Sequence, residues 1–340
     1  MSVEFQFNAN NFSPTSAELD ATTLYDFLIV GGGPAGLNAA LYAKRKGLET
    51  GIITRQIGGQ VLNTSSVDNY LGTKSSTGEQ LVEDFRSHVN SLDVPVLEYV
   101  DVEAILPNSA KNQHTVLLTD GQQFNARTLL LATGTNHRKL GVEGEERLAG
   151  RGVAYCAICD APLYKNKNVI IAGGGNSAVE AALDLAKVAN HVTIVHRSQF
   201  RADKIIIDEL YQNEKIDIHL ETQILSIEGD EVFSHVHALD KKKNETIDIL
   251  ADGVFIEIGN IPNSQLFIDL VDLNDIGEVI VDEKGQTSVD GIYSAGDVTT
   301  VSYKQIIIAT SDGAKTALAA NDYITIQKAK ERTNQYENVK

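Results

Sequence analysis

Cys156 and Cys159 are the only thiols in a chain of 340 residues, and they stand three positions apart in the stretch AYCAICDA with Asp160 directly behind them. Three kinds of chemistry compete for such a pair. A tetrahedral zinc site takes four Cys or His ligands, of which a Cys-x-x-Cys knuckle supplies two. There is no second such pair, and the nearest histidines, His137 and His191, are lone and at no ligand-like spacing, so no metal is expected. Thiols that pack as small apolar groups are the ordinary fate of single cysteines, less so of two at this spacing. A redox disulfide suits the pattern, because a C-x-x-C turn brings the sulfurs within bonding reach and a helix N-terminus depresses the thiolate pKa. Asp160 sits beside a thiol that must gain or lose a proton, which makes it a candidate general acid–base. Capping the helix after the turn is its alternative role.

The elements that must position this pair are legible from glycine turns. Asp26–Val30 is a short, continuously apolar run of the kind that forms a parallel strand buried on both faces. Gly31-Gly-Gly-Pro-Ala-Gly36 follows at once, and Leu37 to Lys46 then reads as a helix. A G-x-G-x-x-G between strand and helix bares backbone N–H groups and the positive end of the helix dipole to a pyrophosphate. Thr54 and Arg55 occupy the region where an acidic ribose-binding residue is expected, so the adenosine ribose must be held differently.

The pattern recurs. Asn168–Ala172 reads as a strand, Gly173, Gly175, Asn176, Ser177 and Ala178 make the turn, and His191–Val195 is the second strand of the unit. That strand ends in His196 and Arg197, with Arg201 four residues beyond Arg197, where an NADH site would carry Asp or Glu. Basic groups there suit a 2′-phosphate, so the second turn is expected to take NADPH; a solvated arginine pair on a loop is the competing reading.

Thr128–Gly134 and Gly291–Asp297 are further apolar strands ending in glycine turns, and Tyr303–Ile308 opens an apolar helix. The expected fold is therefore α/β with two Rossmann-like domains, one inserted in the other. The outer domain covers 22–138 and 258–326, the inserted domain 139–257, with an extension over 1–21 and a polar, frayed tail over 327–340. A hydrophobic content of 42% supports two cores, and the formal charge of −17 argues against nucleic-acid or anionic-membrane partners. The first residues lack a basic and apolar leader pattern and no apolar run reaches a membrane span, so a cytosolic location is expected, where a Cys-x-x-Cys is catalytic more often than structural.

The ordered set GGGPAG, Gly58-Gly-Gln60, Asp68-Asn-Tyr70, ATG, CxxCD, GGGNSA, HRSQFRA, IGNIPN and AGDV resembles the low-molecular-weight thioredoxin reductase family from Leu24 to Tyr323. The resemblance implies FAD in the outer domain, NADPH in the inserted one, a redox-active disulfide, a homodimer and rotation between domains; the hinges are expected at the two connecting segments, near Gly134–Arg138 and Gly259–Asn263, because hinge motion is absorbed by a few residues at element ends. It implies FAD contacts at Gly31, Gly33, Ala35, Gly36, Gly59, Gln60, Asn69, Asp297, Lys304, Gln305 and Ile306. It also makes Cys159 the flavin-facing thiol and Cys156 the one that attacks a thioredoxin or thioredoxin-like partner.

Departures from the family pattern accompany it. Ser198 stands where a second arginine is typical, Asn176 replaces a common Asp, and the segment from Thr299 to Ile308 is closer to the flavoprotein component of alkyl hydroperoxide reductase. That component carries an N-terminal thioredoxin-like domain, whereas about 25 residues precede the first strand here, so electrons are expected to pass to a separate protein. An NADH-dependent reductase feeding a peroxiredoxin through a small redoxin, a ferredoxin-dependent reductase and a non-catalytic flavin or nucleotide sensor are the rival functions.

Overall fold

The strand Leu24–Gly32 is apolar at nearly every position because both of its faces are covered: Phe27, Leu28 and Ile29 are fully buried. It belongs to a computed structural model that describes residues 18–64, 66–108, 111 and 113–337; the extension expected over 1–21 lies almost wholly outside the described residues. By internal contact the described residues form two units, one within 1–59, 82–134 and 262–340, the other within 60–81 and 135–261. Two parallel-sheet units, the second encoded between pieces of the first, are the two-domain Rossmann-like α/β fold expected from the sequence. Residues 60–81 group by contact with the second unit.

The first unit is built on a seven-stranded sheet. Leu24–Gly32 lies between Thr50–Ile57 and Gln123–Leu131, parallel to both, and Val96–Leu97 pairs with Thr50–Ile57. Gln123–Leu131 serves two neighbours. Its first half is antiparallel to His114–Leu118, and its second half, from Leu129, is parallel to Ile292–Ser294. This brings the ends of Leu24–Gly32 and Ile292–Ser294 to one edge of the sheet, where a doubly wound fold places its ligand.

The helix Pro34–Arg45 follows the first glycine turn and packs against the helix Ile306–Glu337. A side chain at Gly313 would run into the carbonyl of Ala35, so that glycine sets the approach. Asn38 donates to Thr310 O at 2.6 Å across the same contact. Of the frayed tail expected over 327–340, residues 327–337 instead continue this helix, and the last three lie outside the described residues. Lys328 Nζ lies 2.7 Å from Asp26 Oδ1 and Arg127 Nη1 lies 2.9 Å from Glu331 Oε1, which ties the polar turns down.

The second unit holds a five-stranded parallel sheet in the order Ile216–His219, His191–Val195, Asn168–Ala172, Gly253–Ile256, Val153–Ala154. One face packs on the helix Asn176–Val188 through Ala178, Val179, Ala182 and Leu185, all fully buried. A three-stranded antiparallel sheet, Thr222–Glu228, His235–Asp240 and Glu245–Leu250, adds a second small core around Val236 and Ile227. Lys241–Lys243 turn its hairpin, with Asn244 in the left-handed region at φ 54°. Thr135–His137 and Asn260–Pro262, the two connecting segments, pair with each other. Among the described residues no helix is long and apolar enough to cross a membrane.

Candidate functional site

Val153–Ala154 is an edge strand, and the chain leaves it directly into the cysteine pair. Cys156 takes the extended conformation of an N-cap, and Ala157–Asp160 form one short helical turn after it. The spacing of three places Cys159 back over Cys156: the two form a disulfide with Cα atoms 5.3 Å apart, and Cys156 Sγ accepts from Cys159 N–H at 3.2 Å. Ile158, between them, is 64% exposed, so the turn presents an apolar knob to any partner that reaches the sulfurs.

Asp160 closes the turn. Its backbone N–H donates to Cys156 O at 3.1 Å, and its side chain caps nothing, although it begins the 3-10 turn Ala161–Tyr164. The capping alternative therefore lacks its hydrogen bond. Burial pushes the Asp160 carboxyl up to about 6, into the range where an acid–base group works near neutral pH. Glu257, which no motif singles out, accepts the Ala157 N–H at 3.1 Å, and burial raises its carboxyl to about 7. Its one signal in the sequence is an acidic residue at the end of a run otherwise wholly apolar, Gly253 to Ile258.

The second glycine turn belongs to the same unit. Gly175 is the N-cap of Asn176–Val188, no side chain caps it, no acidic residue stands in the first turn, and nothing lies within 4 Å of where a side chain at Gly175 would project. Gly173, at φ 159°, has no such freedom: a Cβ there would collide with Glu257 O and come within 2.7 Å of the Ala178 methyl. Open space over uncapped amides fits the pyrophosphate of NADPH.

Asn176 Oδ1 accepts Asp203 N–H at 2.9 Å and Nδ2 donates to Asp203 Oδ2 at 2.9 Å. Ser177 is exposed beside it. The His196 ring is buried where a side chain at Gly174 would need to sit, and its Nε2 lies 3.1 Å from Ser198 Oγ. Burial holds its pKa down, with Arg201, Arg197 and Lys241 acting the same way. Arg197 and Arg201 are exposed, and Lys241 reaches across from the hairpin to the Arg197 carbonyl at 3.3 Å. Lys241 is thus a third cation at this edge, one that sequence spacing could not place.

The first glycine turn has the same construction. Gly33 caps Pro34–Arg45 without a side-chain bond, and a side chain there would meet nothing within 4 Å. Gly31, at φ 121°, and Gly36 are boxed in, by Ala132 O and by Gly31 O. A side chain at Gly59, at φ 55°, would come within 3.6 Å of the Gly33 Cα. Thr54, in the place expected of an acidic ribose ligand, turns inward: its Oγ1 accepts Gly32 N–H at 3.0 Å and donates to Gln56 O at 3.0 Å.

Gly296 packs on Ala35, which sets Asp297 beside this turn. Burial lifts the Asp297 carboxyl to about 6, with Lys304 pulling it down. Lys304 itself is held by Glu278 Oε1 at 2.9 Å and Thr299 O at 2.6 Å, Gln305 Nε2 donates to Lys304 O at 2.8 Å, and Ile306 starts its helix. The open turn and the half-buried acid beside it fit FAD. Gln60 and Asn69 lie in the second unit, where Gln60 Nε2 donates to Thr135 O and, at 2.9 Å, to Thr135 Oγ1.

The chain is similar to known proteins over most of its length. The chain is 40% identical to the F component of alkyl hydroperoxide reductase of Pseudomonas putida over 94% of its own length and 62% of that protein's. The corresponding Escherichia coli protein is also 40% identical, over 90% of this chain and 60% of its own. The chain thus spans about three fifths of the curated relatives it matches. A thioredoxin reductase from Streptococcus pyogenes is 36% identical with a TM-score of 0.84, over 89% of this chain and 98% of that one. The enzyme of Giardia duodenalis is 28% identical with a TM-score of 0.82, over 88% and 99%. Residues 25–313 match the model of a family whose members use FAD and NADPH, and the chain belongs to that family, the pyridine nucleotide-disulphide oxidoreductases.

Proposed function

We propose that the protein is a thioredoxin reductase-like enzyme that moves electrons from NADPH, with FAD, through the Cys156–Cys159 disulfide to the disulfide of a thioredoxin-like protein. The observation that carries this reading is a closed Cys156–Cys159 disulfide at the start of a helical turn, with the apolar Ile158 exposed between the two cysteines and a half-buried Asp160 behind them. Gly31, Gly33, Gly36 and Asp297 would hold FAD; Gly173, Gly175, Arg197 and Arg201 would hold NADPH. Bound FAD supplies a two-electron relay from the nicotinamide to a disulfide.

The chain's own residues complete the chemistry. Opening the disulfide takes two electrons and two protons. The Cys156 thiolate then attacks one sulfur of the partner's disulfide, forming a mixed disulfide and releasing a partner thiolate. Cys159 attacks the Cys156 sulfur, which re-forms the internal bond and releases the partner dithiol. Asp160, its carboxyl near 6, holds and returns the proton that these thiols exchange. The same reading takes the enzyme as a cytosolic homodimer, and light scattering on the purified protein checks the dimer.

The test is an anaerobic addition of NADPH and, separately, NADH to the FAD-loaded protein, followed by thioredoxin. Flavin bleaching and stoichiometric appearance of thioredoxin thiols are expected. Bleaching without turnover on any disulfide acceptor would leave a nucleotide sensor. The 40% identity to the F component of alkyl hydroperoxide reductase supports a second acceptor, a small redoxin that serves a hydroperoxide-reducing enzyme, and the same assay with that redoxin decides between the two.

A further inference from the structure

Two residues beyond the last paired couple of the parallel ladder, Ala154 with Phe255, the neighbouring chain segments reach Cys156 and Glu257. Here Glu257 Oε1 accepts the N–H of Ala157, the first residue of the helical turn that Cys156 caps. The Glu257 backbone has little room to move. Its N–H donates to Ala172 O at 2.9 Å, and its carbonyl lies against Gly173. Burial lifts the carboxyl to about 7 while the Ala157 N–H works in the opposite sense. That N–H is one of the orphan amides whose field stabilises a thiolate at a helix start.

We propose that Glu257 is a positioning residue that keeps the Cys156–Cys159 couple reducing, by taking the Ala157 N–H and setting a carboxyl beside the Cys156 thiolate. The couple converts one disulfide, two electrons and two protons into two thiols. Any group that stabilises the thiolate stabilises the reduced form and makes the disulfide easier to reduce. Glu257 acts the other way: it withdraws a donor and adds a negative neighbour. The assignment rests on the redox reading of the pair and names a residue that sets its poise.

The experiment compares the wild-type holoenzyme with Glu257→Gln and Glu257→Leu. Each is equilibrated anaerobically with graded ratios of reduced to oxidised dithiothreitol at about pH 8, above the range to which burial lifts the carboxyl, and free thiols are trapped and counted. Both variants are expected to favour the dithiol by about tenfold, which is about 30 mV for a two-electron couple. Alkylation of Cys156 should quicken in step. Glutamine keeps an acceptor for Ala157 and removes only the charge, so it reads the electrostatic role even if the leucine variant fails to fold. A wild-type equilibrium constant in a folded Glu257→Gln protein would overturn the assignment. A pair that opens in no protein, wild type included, would overturn the redox reading and this one with it.

Discussion

Asn176 grips Asp203 with both ends of its amide, one oxygen accepting the backbone N–H and one nitrogen donating to the carboxylate, each at 2.9 Å. The pair ties the second glycine turn to the loop that carries Arg201. An aspartate at 176 could accept the N–H but would face the Asp203 carboxylate with a like charge. Asn176→Asp should therefore raise the KM for NADPH several-fold and cost about 1 kcal/mol of stability, since the pair is exposed. Asn176→Asp combined with Asp203→Asn should restore most of both, as steady-state kinetics and thermal unfolding would show.

Nucleotide preference should follow the basic edge. Replacing Arg197 and Arg201 together by alanine should raise the KM for NADPH about tenfold and leave that for NADH nearly unchanged. Lys241→Ala should raise the NADPH value about two- to threefold, since a lone ammonium is a hydrated point charge. Equal losses with both nucleotides would show that these side chains do not read the 2′-phosphate.

The two cysteines should separate in their trapping behaviour. Cys156→Ser and Cys159→Ser should each lower disulfide reduction at least about a thousandfold while NADPH still bleaches the flavin. With Cys156 as the attacking thiol, only the Cys159→Ser protein should accumulate a stable mixed disulfide with thioredoxin, seen on a non-reducing gel. Accumulation in the Cys156→Ser protein instead would reverse the roles.

Asp160 should report itself in pH dependence. Burial raises its folded-state pKa from 3.8 to about 6, so the folded form binds the proton more tightly than the unfolded chain. The stability this contributes is present below the unfolded value and is lost as pH rises through about 6. Asp160→Asn should accordingly gain about 1–2 kcal/mol on the wild type at neutral pH, allowing for partial exposure, and nothing in acid. Turnover of the wild type should bend near 6, and that inflection should be absent from Asp160→Asn.

What sequence patterning shows best is what repeats along the chain. Asn168–Ala172 is legible to the residue, because a parallel strand buried on both faces is an apolar run and a glycine turn follows it, and His191–Val195 is legible as the next largely apolar run of the same unit. The continuation of the last helix past residue 326 is not legible, since its polar turns are held by Asp26 and Arg127, some two to three hundred positions away. Glu257 and Lys241 escape for a related reason. Each comes to its place by strand pairing or a hairpin, and neither sits at a fixed offset from a motif. His196 looks from sequence like a cation offered to a phosphate, whereas its ring is buried under Gly174.

Gly313 and the helix around it also fix an order of events during synthesis. The first glycine turn is made early, but the helix that backs it, Ile306–Glu337, and the strand Ile292–Ser294 emerge from the ribosome only after the whole of residues 135–261. The second unit can thus close while the first sheet is still missing a strand and its covering helix, and the nascent chain should resist proteolysis there first. Flavin capture then belongs to the last seconds of translation or after it, and ribosome-stalled chains ending near Asp290 should hold no flavin while protecting the disulfide-bearing unit.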